Sequence, residues 1–471
     1  MTRLQTDFIA QILTKHLQKE VPAELDCVGV ETDSRKPSTG GLFVALAGDR
    51  FDGHDYVTQM LDQGAAAALV HKFLPDYEKH TDKLIVVDDT LKGLQMLAQG
   101  HLLRMPAFRI GVTGSNGKTT TKELIKAALE KPAGKGAVHA NAGNFNNHIG
   151  LPLSALQTNA GHRFAILEMG MNHFGEIRTL ASIAKPQVGV ITNIGTAHAG
   201  NLGGVRGVAE AKGELFEYLA QTDGILIVNA DDPRCIKQSK KWPQARQLQF
   251  GKSSMADIQI QKNEIGLRGL SLTLAHGHKI FRIELPLVGL HNAWNAASAM
   301  AVALASDVPL EQAAEGLMTA APAKGRLQVR YVEQSQITLL DDTYNANPES
   351  MEMGLKTLLA TPGQRRIAVL GEMLELGEFA ETAHRSLGAA VAQKRIDALF
   401  CCGDLSHFYV EGARAEGMQP EHLFWAPQSE ALGGLLKAYV TAGDTLLIKG
   451  SRGSQMEKTI ESLEHELVRT N

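Results

Sequence analysis

The stretch Arg109–Glu123 reads R-I-G-V-T-G-S-N-G-K-T-T-T-K-E, a combination of residue types suited to holding phosphate. The apolar residues Ile110 and Val112 predict the end of a buried strand, and the spacing of Leu124, Ile125, Ala128 and Leu129 predicts a helix beyond it. Between them lies a turn of Gly114, Ser115, Asn116 and Gly117, followed by Lys118, Thr119 and Thr120. Glycines let backbone N–H groups turn inward, the helix N-terminus adds positive potential, and a lysine ammonium reaches the outer phosphates. A hydroxyl at Thr119 is placed to ligate magnesium. The full phosphate-loop pattern has a glycine five residues before the second one. That place is Val112 here, so the match is to a shorter G-x-x-G-K-T-T form. A mononucleotide site is the expectation.

Other residues have chemistry to offer but read two ways when taken singly. Glu168 ends an apolar run and is either a metal carboxylate or a capping group. His198, in T-A-H-A-G, is a metal ligand or a hydrogen-bonded histidine. Lys212, in E-A-K-G-E-L-F, reads from its helix alone as solvent-facing. The string H-N-A-W-N places His291 and Asn295 on one helix face with Asn292 three residues before Asn295, which suits an adenine edge or a buried helix contact. Asp341–Pro348, D-D-T-Y-N-A-N-P, follows an apolar run and offers carboxylates to ribose hydroxyls. Lys449–Ser454, K-G-S-R-G-S, offers a basic pair to an anion or simply starts a helix. Ser34 and Arg35, in T-D-S-R-K, suit a phosphate or a uracil edge, or a polar turn.

The elements that must position these groups follow an α/β pattern. A chain of 471 residues exceeds one core and predicts about three domains. Residues 1–86 are a small mixed segment. Ile9, Leu13 and Leu17 predict its first helix, and Leu42–Leu46 and Leu84–Val87 predict strands. Residues 87–321 alternate strand and helix, with strands at Phe164–Leu167, Val188–Thr192 and Gly224–Val228 and helices at Ile177–Ile183 and Val205–Tyr218. That alternation predicts a parallel sheet, whose ligands bind at the carboxyl ends of strands. Ile258–Leu287 reads as antiparallel strands and Gly289–Ala305 as an alanine-rich helix, before a loop at Ala321–Arg326. Residues 322–471 repeat βα units, with strands at Ile337–Leu340, Ile367–Leu370, Ala398–Cys401, Leu423–Trp425 and Thr445–Ile448. They predict a Rossmann-like domain, but no G-x-G-x-x-G follows its first strand, which counts against a dinucleotide.

Bulk properties narrow the class. Hydrophobic content of 44% with 21% charged residues describes a soluble globular protein. A formal net charge of −4 gives no reason to expect nucleic acid or an anionic membrane as partner. Four cysteines lack metal spacing, the N-terminus lacks a signal-peptide core, and no apolar run is long enough to cross a bilayer. A cytoplasmic monomer is expected.

Taken together, G-V-T-G-S-N-G-K-T-T-T, L-E-M-G-M-N-H-F-G-E-I, N-I-G-T-A-H, A-K-G-E-L-F, N-A-D-D-P, G-x-H-N-x-x-N-A and D-D-x-Y-N-A-N-P occur in one order across the whole chain. In this the sequence resembles the Mur ligase family of ATP-dependent amide-forming enzymes. The resemblance implies three domains: a UDP-substrate-binding domain (1–86), a central P-loop ATPase domain (87–321) and a C-terminal Rossmann-like domain for the incoming amine (322–471). It implies that Lys118 binds the outer phosphates of ATP and that two magnesium ions are used. Thr119 and Glu168 would hold the first ion and His198 the second. Lys212 matches a lysine carbamylated by CO₂. Asn292 and Asn295 resemble adenine contacts, and Arg326 and Asp342 contacts to phosphate and ribose. Gly143–Pro152, with Asn144, Asn146 and Asn147, resembles the loop that positions a UDP-muramoyl peptide, and Ser34 and Arg35 lie where UDP would bind. Tyr344, Asn345, Asn347, Lys449, Ser451 and Arg452 would face the peptide carboxylate or the incoming amine.

Within the family, D-D-T-Y-N-A-N-P-E-S-M and L-G-E-M-L-E-L-G (Leu370–Gly377) point to UDP-N-acetylmuramoyl-tripeptide and D-alanyl-D-alanine as substrates, joined through an acyl phosphate. The relative that adds diaminopimelate carries D-N-P-R in its last domain. The nearest string here, D-D-P-R at Asp231–Arg234, lies in the central segment. The alternatives are another ligase of the superfamily, such as a folylpolyglutamate synthase, a P-loop kinase or motor ATPase, and a non-catalytic nucleotide-sugar binder.

Overall fold

Apolar runs that do not alternate make strands buried on both faces, and such strands need helices above and below. The computed structural model describes residues 2–36, 38–48, 51–266 and 269–468 and builds such a layered arrangement twice. The larger sheet has nine strands. Its order is Val138–Ala140, Phe164–Glu168, Phe108–Thr113, Val188–Ile191, Ile225–Asn229, Arg246–Gly251, Ile258–Gly266, Gly269–His276 and Lys279–Leu285. The first seven run parallel. The last two add antiparallel at the edge, so the antiparallel stretch expected near Ile258–Leu287 extends this sheet.

Alternate residues of the central strands feed two cores. Ile110, Val112, Ile166, Val190 and Ile227 pack beneath the helices Lys118–Ala133, Asn292–Ala305 and Leu310–Leu317. Leu167, Ile191, Leu226 and Val228 face the helices Glu176–Ala184 and Val205–Gln221. This second core runs on into the N-terminal segment, where Leu42, Val44, Leu69 and Ile85 come from a four-stranded parallel sheet. The C-terminal sheet has six strands in the order Gln328–Val332, Ile337–Asp342, Thr445–Lys449, Arg366–Leu370, Ala398–Cys402 and Leu423–Ala426. The first of these is antiparallel and the rest are parallel.

The structure differs from sequence expectation at the edges. The first helix spans Thr6–Leu13 and leaves Leu17 outside. Leu17 bridges to Val87 instead, and Gln18 N–H donates to Val86 O at 2.8 Å, so pairing to a neighbouring strand overrides the helical spacing. Val138–Ala140, Arg246–Gly251 and Gln328–Val332 are strands that short or polar sequences conceal. Among the described residues, no helix is long and apolar enough to cross a membrane.

Helix Leu310–Leu317 lies against Lys118–Ala133 through a glycine contact. A Cβ at Gly316 would stand 2.2 Å from the carbonyl oxygen of Ala127. Gly316→Ala gains up to ~1 kcal/mol of helix propensity. It must also push two backbones apart, at about 1–3 kcal/mol. A net loss of stability is expected in urea unfolding; a midpoint equal to or above wild type would refute this packing.

Candidate active site

The phosphate loop leaves the strand Phe108–Thr113 at its carboxyl end, and two glycines make the path possible. Gly114 has φ +152°, and a Cβ there would lie 1.9 Å from Thr192 Oγ1. Gly117 has φ +81°, and its Cβ would meet Asn295 Oδ1 at 2.6 Å. The segment after the strand Val188–Ile191 clamps the loop. Ser115 N–H donates to Asn193 O at 2.9 Å and Asn116 N–H to Asn193 Oδ1 at 3.0 Å. Thr192 Oγ1 and Asn193 Nδ2 both donate to Asn116 O, at 2.6 and 2.9 Å. Gly195 N–H donates to Ser115 Oγ at 2.8 Å. With those donors engaged, the anion-binding groups are those at the start of helix Lys118–Ala133, whose cap residue Gly117 contributes no side chain. Lys118 curls back over the loop, its Nζ donating to Gly114 O at 2.8 Å and to Ser115 O at 3.2 Å. Burial lowers its pKa, and the Glu168 carboxylate opposes that shift.

Glu168, 2% exposed, ends the neighbouring strand. Its backbone is held by Asn141, which accepts from Glu168 N–H at 2.8 Å and donates to Glu168 O at 3.2 Å. Asn146 Nδ2 donates to Glu168 Oε1 at 2.9 Å, whereas Oε2 is buried without a partner. His198 sits at φ +65°, uncommon for a non-glycine residue, and its buried Nδ1 is also without a hydrogen bond, with Glu375 Oε2 3.4 Å away. Burial, with Lys118 and Lys212 nearby as lesser causes, pushes the His198 pKa down to about 4, so its ring is neutral at pH 7.

Lys212 departs from its helix-only reading: it is 1% exposed and has no hydrogen bond or ion pair among the described residues. Burial, reinforced by Lys118, holds its pKa well below the lysine norm and favours the neutral amine. No cluster of three His, Cys, Asp or Glu side chains able to hold a metal occurs among the described residues. A hard cation fits here nonetheless, because Glu168 Oε2 is a buried carboxylate oxygen lacking a partner and phosphate oxygens can complete the shell.

The C-terminal sheet supplies the facing wall. A cavity of about 650 Å³ is lined by Ser115–Thr120, Thr192–Gly195 and His198 on one side. Arg326, Asp342, Asn345–Asn347, Lys449, Ser451 and Arg452 line the other. The walls touch. Asn347 Nδ2 donates to Asn116 Oδ1 at 2.8 Å, and Glu349 accepts from Thr196 N–H at 2.7 Å and from Thr196 Oγ1 at 2.6 Å. Arg326 lies over the Tyr344 ring, 4.2 Å from its centroid.

Several expected contacts are already engaged within the protein. Asn292 Nδ2 donates to Val288 O at 2.7 Å, Asn295 Nδ2 to Asn292 Oδ1 at 2.8 Å, and Thr121 Oγ1 to Asn295 Oδ1 at 3.2 Å. These amides build the helix entry. Lys449 Nζ donates to Asp342 Oδ2 at 2.6 Å and to Asn345 O at 2.9 Å, in a buried pair. Ser451 Oγ accepts from Leu374 N–H at 2.9 Å, and the exposed Arg452 pairs with Glu457 at 2.7 Å. Asn147 Oδ1 accepts from Gly150 N–H at 2.8 Å, which orders the start of helix Gly150–Ala155; Asn144 is exposed. In the N-terminal segment, Ser34 is buried and Arg35 is an exposed guanidinium chelating Asp33 at 2.8 Å. Neither lines the cavity. Glu349, Asn193, Asp231 and Trp294 also line the cavity and are not among the site residues that the sequence motifs suggest. For Asn193 the signal was available in N-I-G-T-A-H at a strand end.

The buried Lys449–Asp342 pair joins two adjacent strands. Lys449→Ala strands a carboxylate and is expected to cost about 3–5 kcal/mol. Adding Asp342→Ala should recover part of that loss. Denaturant unfolding of both variants checks this, and strictly additive losses would refute it.

The Mur ligase middle domain pattern matches residues 112–303, the pattern described as Mur ligase, glutamate ligase domain matches 325–452, and that described as Mur ligase family, catalytic domain matches 27–102. The UDP-N-acetylmuramoyl-tripeptide–D-alanyl-D-alanine ligase of Bacillus subtilis is 38% identical over 437 residues, covering 92% of this chain and 93% of its own. The crystal structure of MurF from Acinetobacter baumannii superposes with a TM-score of 0.88 at 30% identity, covering 98% of this chain and 99% of its own. MurF ligase from Thermotoga maritima in complex with ADP gives 0.83 at 28% identity, covering 94% and 98%. The glycine turn, the buried carboxylate behind it and the facing C-terminal wall thus lie in a chain matched along nearly all its length, and the protein belongs to the Mur ligase family.

Proposed function

We propose that the protein joins D-alanyl-D-alanine to the terminal carboxylate of UDP-N-acetylmuramoyl-tripeptide, releasing ADP and phosphate, as a cytoplasmic step of peptidoglycan precursor synthesis. What carries this reading is the match over nine-tenths of the chain to a relative named for that reaction. The shared cavity agrees with it, because a phosphate loop and a second wall face one space there. Residues 1–86 are read as taking the UDP end of the acceptor, 87–321 ATP, and 322–471 the dipeptide.

A carboxylate is a poor electrophile. The acceptor carboxylate oxygen therefore attacks the γ-phosphorus of ATP, ADP leaves, and an acyl phosphate forms. The dipeptide amine, in its neutral form, attacks the acyl carbon. The tetrahedral intermediate collapses with loss of phosphate, and the amine nitrogen gives up a proton. Lys118 and the first turn of its helix are positioned to offset charge on the transferring phosphoryl group. Asn146, which donates to Glu168, ties the acceptor loop to the phosphate site. Contact between the two walls limits water, which would hydrolyse the acyl phosphate. Thr119 and Glu168 would hold one magnesium ion and His198 with a carbamylated Lys212 a second, and magnesium supplies charge neutralisation on the phosphates. Burial, which favours the neutral form of the Lys212 amine, supports carbamylation, in which nitrogen adds to CO₂ and a proton is lost.

Product formation and ADP release should require both the UDP-muramoyl-tripeptide and the dipeptide. ATP turnover without either would point instead to a motor ATPase. Lys118→Ala should abolish ligation while acceptor binding by calorimetry persists; loss of both would count against the assigned role. Lys212→Ala should reduce activity strongly, and short-chain carboxylic acids should restore part of it by standing in for the carbamate. Full activity in this variant would refute the carbamate.

A further inference from the structure

Lys122 is a buried basic residue for which the proposed reaction has no role. It lies one turn beyond Lys118 on the helix Lys118–Ala133 and is 0% exposed. A lysine buried in this way costs free energy unless its polar end is satisfied. Here Nζ donates to the carbonyl oxygen of Asn141 at 2.5 Å and lies 3.1 Å from Glu123 Oε1. Asn141, itself buried, is the first residue past the strand Val138–Ala140. That strand pairs with Phe164–Glu168 as far as Ala140 opposite Ile166. Beyond that point the Asn141 side chain continues the pairing. Its amide stands in for a peptide unit, accepting from Glu168 N–H and donating to Glu168 O. Nδ2 also donates to Phe145 O at 2.7 Å, which closes the loop that delivers Asn146. Asn146 O accepts from Gly170 N–H at 2.8 Å, and Asn146 Nδ2 donates to Glu168 Oε1. Glu168 is therefore held at its N–H, its C=O and Oε1, and Oε2 is buried without a partner.

Resting on Glu168 as a magnesium ligand, we propose that Lys122 is a positioning residue for that carboxylate, acting through Asn141. Lys122 belongs to the helix whose first turn faces the nucleotide phosphates, and Asn141 grips the strand end that carries Glu168. Their bond sets the carboxylate relative to the phosphates that share its cation. Neither Lys122 nor Asn141 lines the cavity, so their effect on a bound nucleotide is indirect. Partners that orient a metal ligand from behind govern metal affinity by about 10–100-fold.

Calorimetric titration with ADP in saturating magnesium and again in EDTA gives, for each variant, the factor by which magnesium tightens ADP. Glu168→Gln keeps the side-chain shape, removes the charge and sets the floor. Lys122→Met should lower the factor about tenfold while the ADP Kd in EDTA stays within about threefold of wild type. A packing role alone would shift the urea midpoint and leave the factor unchanged. Added to Glu168→Gln, Lys122→Met should lower the factor no further, because both act on one carboxylate. Asn141→Ala removes the intermediate link and should behave alike in the same cycle; it is the variant read if Lys122→Met does not fold. An unchanged factor in a folded variant, additive losses in the double variant, or no effect of magnesium on ADP in the wild-type protein overturns the positioning role. Binding is read without turnover. The expected cycle in a chain that forms no peptide bond would refute the proposed reaction and leave the positioning role standing.

Discussion

The approach of Thr192 to Gly114 is the contact on which the rest of the site depends. Parallel pairing of Phe108–Thr113 with Val188–Ile191 ends with Thr192 beside the first glycine of the turn. No side chain fits there, since even a methyl carbon would lie 1.9 Å from the threonine hydroxyl. The closeness lets Thr192 and Asn193 take up the polar groups of Ser115 and Asn116. The turn is thereby rigid before any ligand arrives, and a preorganised donor array loses little on binding.

Electrostatics follow from that geometry. Lys118 and Arg326 lie near enough to act on one another, with the Glu168 carboxylate acting in the opposite sense, while Lys449 and Asp342 neutralise each other. Such a field favours a polyphosphate and disfavours further protonation nearby. Burial first, and the neighbouring lysines second, keep the His198 ring neutral with a lone pair to offer.

Much of this was legible in the sequence because it is local. The strand, glycine turn and helix of the phosphate loop follow one another directly, and Glu168 sits at the end of a readable apolar strand. What escaped depends on residues far apart in the chain. Lys449 and Asp342 meet across 107 positions, and Glu349 reaches Thr196 across 153. Lys212 read as a surface lysine because its helix pattern does not show which side faces a second layer. Gly207, Ala211 and Gly213 beside it, all buried, are the sign of close packing. That the asparagine pair of the alanine-rich helix is bonded within the protein was hidden, because a free amide and an internally bonded one are spelled alike.

The junction of Asn116 with Asn347 has a thermodynamic consequence. Asn116 belongs to the phosphate loop, and Asn347 begins the helix Pro348–Ala360 on the opposite wall. Parting the walls must break this bond and the two to Glu349. Whatever free energy those bonds contribute enters the occupancy of the nucleotide loop as well. An ATP dissociation constant measured on this protein is therefore a composite, the intrinsic value divided by the fraction of molecules whose walls are joined. A substitution at Glu349, which lines the cavity and joins the walls, would alter that constant in part through the fraction.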